Sequence, residues 1–164
     1  SIEKLRKGFN LYRNVQIIEQ PTPPENPELL QSFLNSQKGT DLPLIFADES
    51  CYDIYSIPKM KRQGFDGIVL KLDKCGGMIN AIDMINLARE NSLMIMLSCM
   101  ICSNVAITAA SALIPLVDYV DLDGAVLVSN DPALGSGVFF NREGNISLDR
   151  SRDPFGLHVD VRFD

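Results

Sequence analysis

Short apolar runs recur along the chain and separate longer stretches of mixed polarity. Five of these runs are rich in Ile, Val, Leu or Phe and lack clean alternation, which is typical of strands that are covered on both faces. They lie at 15–18, 43–46, 67–70, 93–97 and 119–122. The pattern therefore predicts the buried strands of a parallel sheet.

Helical patterns lie between the predicted strands. Asn26 and Pro27 form a cap and first-turn pair ahead of an apolar stripe, and a second stripe follows Gly76 and Gly77. Alternation of strands and helices is the order of βα units. The sequence thus predicts an α/β fold with a parallel sheet.

Three further signals predict helices. Asn104 is the expected cap of a helix over 105–114, which Pro115 closes. Asp53 or Ser56 is a possible cap within 51–63. An amphipathic helix is also predicted to begin at Ser1, ahead of the first strand.

Five strands are too few to close an eight-stranded barrel. The sheet is therefore either open or completed by a part that precedes Ser1. After Gly124 the pattern changes to Gly- and Asn-rich turns, and 138–140 with 146–148 are predicted to form a β-hairpin. We accordingly divide the chain into a partial (β/α) barrel over 1–124 and a C-terminal segment over 125–164.

Length and charge limit the partners. The 164 residues carry a net charge of −6 and contain no Lys/Arg-rich run, which argues against nucleic acid or an anionic membrane surface as partner. No apolar run is long enough to span a bilayer, and residues 1–10 do not resemble a signal peptide. We expect a cytoplasmic protein that binds a small molecule.

Polar residues stand where the apolar runs stop. Glu19, Asp48, Lys71 and Ser98 each follow a run, Asp121 lies within the last run, and Asp123 directly follows it. Parallel α/β proteins place their sites at the carboxyl ends of the strands. The carboxylates of Glu19 and Asp48 suit Mg²⁺, which prefers oxygen ligands and keeps positions open for a substrate.

Lys71 is the candidate acid/base. A lysine near a divalent cation and partly removed from water is expected to have a lowered pKa, which makes it a usable base near neutral pH. Lys74 is expected to face solvent or to cap a helix.

The cysteines allow a second interpretation. Cys99 and Cys102 form a C-x-x-C between a strand and a helix, as in thioredoxin-like redox pairs. The apolar Met100 and Ile101 between them and the preceding βα units favour reduced, buried thiols instead. The sole histidine, His158, lies far from any predicted strand end.

Five motifs together resemble a known family. IIEQP, ADES, KLDKCGG, LSCM and DYVDLDG, in this order, are similar to the barrel domain of the enolase superfamily. Within it, they resemble the muconate-lactonizing subgroup and its dipeptide epimerases. The resemblance covers essentially the whole chain and implies that the five strands are strands 4 to 8 of a TIM-type barrel.

The resemblance also implies roles. Glu19 and Asp48 would be two of three Mg²⁺ ligands, and Lys71 would move the substrate α-proton on one face. Asp121 and Asp123 would receive the ammonium group of a dipeptide, beside Ser98 and Met100. The implied activity is dipeptide epimerisation through an enolate. Alternatives are an o-succinylbenzoate synthase, an N-acylamino-acid racemase, a cycloisomerase, or an inactive structural module.

Parts of the family's site have no counterpart here. The third metal ligand and a Lys-x-Lys pair would precede Ser1, and the capping domain on which 125–164 is expected to pack is absent from this chain. We therefore expect residues 1–164 alone to be inactive, and the full-length protein to be a homo-oligomer.

Overall fold

The computed structural model describes residues 14–36, 43–133, 137–148 and 159–161. The helix predicted at Ser1, and His158, lie outside the described residues. Five strands form one sheet: β1 (Ile17–Glu19), β2 (Leu44–Ala47), β3 (Gly67–Lys71), β4 (Met94–Ser98) and β5 (Tyr119–Asp121). They lie side by side in chain order, and every neighbouring pair is parallel. The predicted strands and their parallel arrangement are confirmed.

Helices connect the strands. They are α1 (Pro27–Ser36), α2 (Ile57–Gln63), α3 (Leu72–Cys75), α4 (Met78–Glu90) and α5 (Asn104–Ser111), with 3₁₀ turns at Ile54–Ser56, Ile114–Leu116 and Gly124–Leu127. Asp53 caps the first 3₁₀ turn, since its Oδ1 accepts from Ser56 N at 2.8 Å. The four-residue helix α3, directly after β3, is a feature that the sequence patterns did not predict.

The prediction for the last helix was wrong at both ends. Ser103, not Asn104, occupies the cap position, and α5 ends at Ser111. The Asn104 side chain instead forms a hydrogen bond to a residue outside the helix, since its Nδ2 donates to Val138 O at 2.9 Å. Pro115 lies in the 3₁₀ turn Ile114–Leu116, where its missing N–H has no cost.

The two faces of the sheet carry different cores. The outer face packs against the helices in one large apolar cluster, to which strand residues Ile45, Ala47, Ile68, Leu70, Ile95 and Leu97 contribute. The inner face carries a smaller cluster of Phe46, Val69 and Met96, bordered by Ile17, Leu44 and Tyr119. In β2, β3 and β4, burial on both faces explains why the strand sequences do not alternate.

The sheet curls around its inner face. The Phe46 and Tyr119 rings meet edge to face with centroids 5.8 Å apart, although β3 and β4 separate their strands. Three strand spacings would place them about 14 Å apart in a flat sheet. Gly67 permits part of this approach, because a Cβ there would lie 2.4 Å from the Phe46 ring. The five strands therefore form the wall of a half-barrel.

The predicted hairpin is confirmed as β6 (Val138–Phe140) and β7 (Ile146–Leu148), which pair antiparallel. It packs on α5, where Val138 N donates to Thr108 Oγ1 at 3.0 Å and Val138 is buried. The division at residue 124 and the contact with a capping domain stay predictions. Within the described ranges, no helix has the length and hydropathy needed to cross a bilayer.

Candidate active site

Strand register gathers the predicted polar residues at one rim. Lys71, Ser98 and Asp121 are direct partners across β3, β4 and β5. On the other side of Lys71, Glu19 pairs with Phe46, and Asp48 follows Phe46 by two residues. Because alternate residues of a strand share a face, all five side chains lie above the inner apolar cluster.

Asp48 lies at the centre of the charged contacts. Lys71 Nζ donates to its Oδ2 at 2.7 Å, and Lys74 Nζ contacts its Oδ1. Lys71 Nζ is also 3.8 Å from Glu19 Oε1. The Asp48 side chain is only 6% exposed, so these pairs are well shielded from water.

The expectation for Lys74 was wrong. Helix α3 turns its side chain back over the end of β2, where Nζ also donates to Asp48 O at 2.7 Å and to Cys51 O at 3.3 Å. The sequence suggested solvent exposure because nothing in KLDK indicates a turn of helix immediately after the strand. Lys74 thereby fixes both the carboxylate and the backbone at the end of β2.

Two carboxyl groups are forced together beside the lysines. Burial, a hydrogen bond with Asp48 and repulsion by its charge raise the pKa of Glu19 to about 7. Burial opposes ionisation of Asp48 too, but hydrogen bonds from Lys71 and Lys74 hold its pKa below the usual value. The pair therefore favours one proton or a cation between its carboxyl groups.

The pKa of Lys71 shifts opposite to the expectation. Burial alone would lower it, but the hydrogen bond and charge of Asp48 and the charges of Glu19 and Glu49 raise it above the ordinary value. The expectation assumed a bound cation that offsets these carboxylates. Without that positive charge, the carboxylates stabilise the ammonium form.

The donor set fits a hard divalent cation. Glu19 and Asp48 present carboxylate oxygens at adjacent strand ends, and Mg²⁺ is commonly bound by one or two carboxylates with water and substrate oxygens. Burial and the neighbouring Asp48 raise the pKa of Glu19, so a positive charge between the two carboxyl groups is favourable. Among the described residues, no group of three or more His, Cys, Asp or Glu could hold a metal by itself.

The other end of the rim is acidic. Asp121 and Asp123 are exposed on either side of Leu122, which is buried in the outer core. Partial removal of its carboxyl group from water and repulsion by Asp123 raise the pKa of Asp121, while the charge of Lys71 and a hydrogen bond with Ser98 oppose that rise. Met100 is 51% exposed beside them. This end of the rim can receive a positively charged group.

Gln20 is a further residue of the rim, for which the sequence indicated no role. Its Oε1 accepts from Asp48 N at 3.0 Å and from Ser50 N at 3.1 Å, and its Nε2 donates to Thr22 O at 2.7 Å. It adopts a positive φ of 39°. Its position directly after a strand-end acid is the one signal that could have drawn attention to it.

The four cysteines are free thiols. Cys51 and Cys75 are buried as expected, whereas Cys99 and Cys102 are half-buried and lie next to each other. Burial and the neighbouring Cys99 raise the pKa of Cys102 to about 11. A raised pKa disfavours the thiolate that redox exchange requires.

Comparison with known proteins identifies the family of the chain. The enolase C-terminal domain-like family matches residues 3–150. The chain belongs to that family. It is 36% identical over 132 residues to an L-Ala-D/L-amino acid epimerase of Maribacter sp. (strain HTCC2170 / KCCM 42371), covering 80% of the chain and 37% of that protein. It is 38% identical over 118 residues to an N-acetyl-D-glutamate racemase of Pseudoalteromonas sp., covering 72% and 35%.

A solved structure gives the same fold. The dipeptide epimerase from Enterococcus faecalis V583, complexed with Mg and the dipeptide L-Leu-L-Tyr, superposes with a TM-score of 0.79 at 26% identity. The match covers 97% of this chain and 45% of that one. The chain thus spans less than half the length of the relatives it matches. The expected membership of the enolase superfamily and the partial barrel fold are confirmed.

Proposed function

We propose that this chain forms part of the active site of a Mg²⁺-assisted dipeptide epimerase. The reaction would remove the α-proton next to a carboxylate and return it on the opposite face. The observation that carries the proposal is the row of strand-end side chains, in which Lys71 lies between the acidic pair Glu19/Asp48 and the acidic pair Asp121/Asp123. The two acidic pairs and Lys71 correspond to the carboxylate, the ammonium group and the α-proton of such a substrate.

Lys71 is the proposed acid/base. Its Nζ, when neutral, would take the α-proton from one face of the substrate, and its ammonium form would return a proton there. When bound by Glu19 and Asp48, Mg²⁺ would hold the substrate carboxylate and stabilise negative charge on the enolate of the substrate. The contact of Lys74 with Asp48 keeps that carboxylate oriented when Lys71 moves to the substrate.

Asp121 and Asp123 are the proposed receptor for the free ammonium group. Asp121 lies two strands from Lys71 through Ser98, which is about 10 Å along the sheet. Two extended residues span about 7 Å, and the Lys71 side chain reaches the rest. A dipeptide held by its ammonium group would therefore place its second α-carbon toward Lys71.

An N-acylamino-acid racemase is the second candidate. The similarity to an N-acetyl-D-glutamate racemase favours it, since the proton transfer would be the same. An N-acylated substrate has no ammonium group, however, and would leave Asp121 and Asp123 facing it without a positive partner. The acidic end of the rim is the reason that we prefer a dipeptide.

A hydrogen-exchange experiment tests the proposal. The protein that contains residues 1–164, expressed at the full length of its gene, is incubated in D₂O with Mg²⁺ and a panel of dipeptides and their N-acetyl derivatives. We expect NMR to show epimerisation and deuterium at the α-carbon for dipeptides, and loss of both with a chelator. Exchange of the N-acetyl derivatives alone would favour the racemase, and no exchange in either set would contradict both.

The proposal includes a cytoplasmic location and assembly into a homo-oligomer. Light scattering of the same full-length protein measures the oligomeric state. A monomeric protein would contradict the proposed homo-oligomer but would not affect the proposed reaction.

A further inference from the structure

The Cys99 thiol bridges the ends of β4 and β5. Its S–H donates to Asp121 O with Sγ and O 3.6 Å apart, and its Sγ accepts from Gly124 N at 3.3 Å. These contacts enclose the segment that carries both acidic side chains of the proposed ammonium receptor. A single thiol thus ties the start and the end of that segment to the neighbouring strand.

Gly124 makes this contact possible. A Cβ at this position would lie 2.2 Å from Met100 O and 3.0 Å from Cys99 Sγ, so only glycine allows the two backbones to come so close. Gly124 is buried and begins the 3₁₀ turn that follows Asp123. The backbone after Asp123 is therefore seated directly against the residues that follow β4.

Leu122 completes the attachment. It is 2% exposed and packs into the outer core, so the segment cannot rotate about its axis without removing an apolar side chain from that core. The outer core holds the middle of the segment and Cys99 holds both of its ends, so the backbone that carries the two carboxylates has a fixed position.

We propose that Cys99 is a positioning residue for the carboxylates of Asp121 and Asp123. This inference rests on the proposed function, because it assigns those carboxylates to the substrate ammonium group. Cys99 itself contacts neither substrate nor metal in this role. It accounts for the first thiol of the C-x-x-C without redox chemistry.

Two substitutions distinguish the effect of the Cys99 hydrogen bonds from the effect of side-chain packing. Cys99→Ala removes the donor and the acceptor, whereas Cys99→Ser keeps a donor and an acceptor on the same Cβ, at the end of a shorter bond. Cys102→Ala is the matched control, since no hydrogen bond joins Cys102 to Asp121 or Gly124 within the described residues. All are made in the full-length protein and compared with wild type.

Steady-state kinetics give the first readout. Cys99→Ala should raise KM for a dipeptide about three- to tenfold, which is the size of one lost hydrogen bond, with a smaller change in kcat. Cys99→Ser should return KM to within about twofold of wild type, as should Cys102→Ala. KM for an N-acetylated substrate, where one is turned over, should not change with Cys99→Ala.

Amide exchange gives a readout that does not depend on activity. The Gly124 N–H should exchange about tenfold faster in Cys99→Ala than in wild type, and Cys99→Ser should restore its protection. An active wild type with unchanged KM or unchanged Gly124 exchange in Cys99→Ala would overturn the positioning role alone. A wild type without activity on dipeptides would overturn the proposed function, and the role assigned to Cys99 with it.

Discussion

The carboxylates at the two ends of the rim have opposite environments. At one end, Asp48 is nearly buried and both of its carboxylate oxygens contact lysines. At the other end, Asp121 and Asp123 are exposed, and no lysine or arginine of the described chain lies within ion-pair distance of them. At the first end lysines pair with the buried carboxylate, while at the second end the carboxylates are open to solvent.

The difference indicates what each end is built to hold. Paired and buried charges keep their positions, which a site for proton transfer and a small cation requires. Unpaired carboxylates at a rim attract a cation from outside the fold, and an ammonium group is the natural partner. Mutations at the two ends should therefore differ in kind as well as in size.

The largest effect is expected for Lys71→Ala. Loss of general acid–base chemistry should lower the rate of α-deuterium incorporation about 10²- to 10⁴-fold, with the fold preserved. The rate is followed by NMR in D₂O with the full-length protein. Lys59→Ala, at an exposed position of α2, is the control and should leave the rate unchanged. Retained exchange in Lys71→Ala would remove this residue from the reaction.

The next effect is expected for Asp121→Asn combined with Asp123→Asn. Losing charge-assisted bonds to the ammonium group should raise KM for dipeptides about ten- to 100-fold. The melting temperature should not fall, because the substitution removes repulsion between exposed groups. Equal losses for dipeptides and N-acetylated analogues would contradict the assignment of this end.

Lys74→Met should lower the stability of the protein, unlike the substitutions of Asp121 and Asp123. It removes the donor to Asp48 Oδ1, Asp48 O and Cys51 O at a nearly buried site, so we expect a loss of about 1–3 kcal/mol in the free energy of unfolding. Urea denaturation measures it, with Lys59→Met as the exposed control. If both variants are equally stable, the paired end of the rim is no firmer than the open end.

The smallest effect concerns pH. The pKa of Glu19 is raised to about 7 in the fold, from 4.5 when unfolded. Between these values the folded protein binds more protons than the unfolded chain, so the free energy of unfolding should fall as pH rises through this window. Glu19→Gln should flatten that slope in urea titrations, and Glu25→Gln at an exposed position should not. An unchanged slope in Glu19→Gln would contradict the close approach of Glu19 to Asp48.

Much of the fold follows from the apolar pattern. The central strands were predicted because burial on both faces leaves a continuous apolar run, as Gly67–Lys71 illustrates. The outer strands β1 and β5 carry apolar runs as well, although they are only partly buried. The hairpin followed from its turn residues. The end of α5 did not, because the choice between a helix and a 3₁₀ turn around Pro115 depends on local packing that no single run encodes.

The site was predictable where it follows from strand ends. Glu19, Asp48, Lys71, Ser98 and Asp121 converge because parallel strands end at a common edge. Lys74 and Gln20 were missed because their roles depend on a short helix and an unusual backbone angle. The direction of the Lys71 pKa shift was wrong because it depends on which charges are present around Nζ.

A crystal structure of the full-length protein with Mg²⁺ and a dipeptide tests the central claim most directly. We predict that Glu19 and Asp48 bind the metal, that the ammonium group lies between Asp121 and Asp123, and that the second α-carbon faces Lys71 Nζ. A dipeptide bound with its ammonium group away from Asp121 and Asp123, or beyond reach of Lys71, would contradict the account.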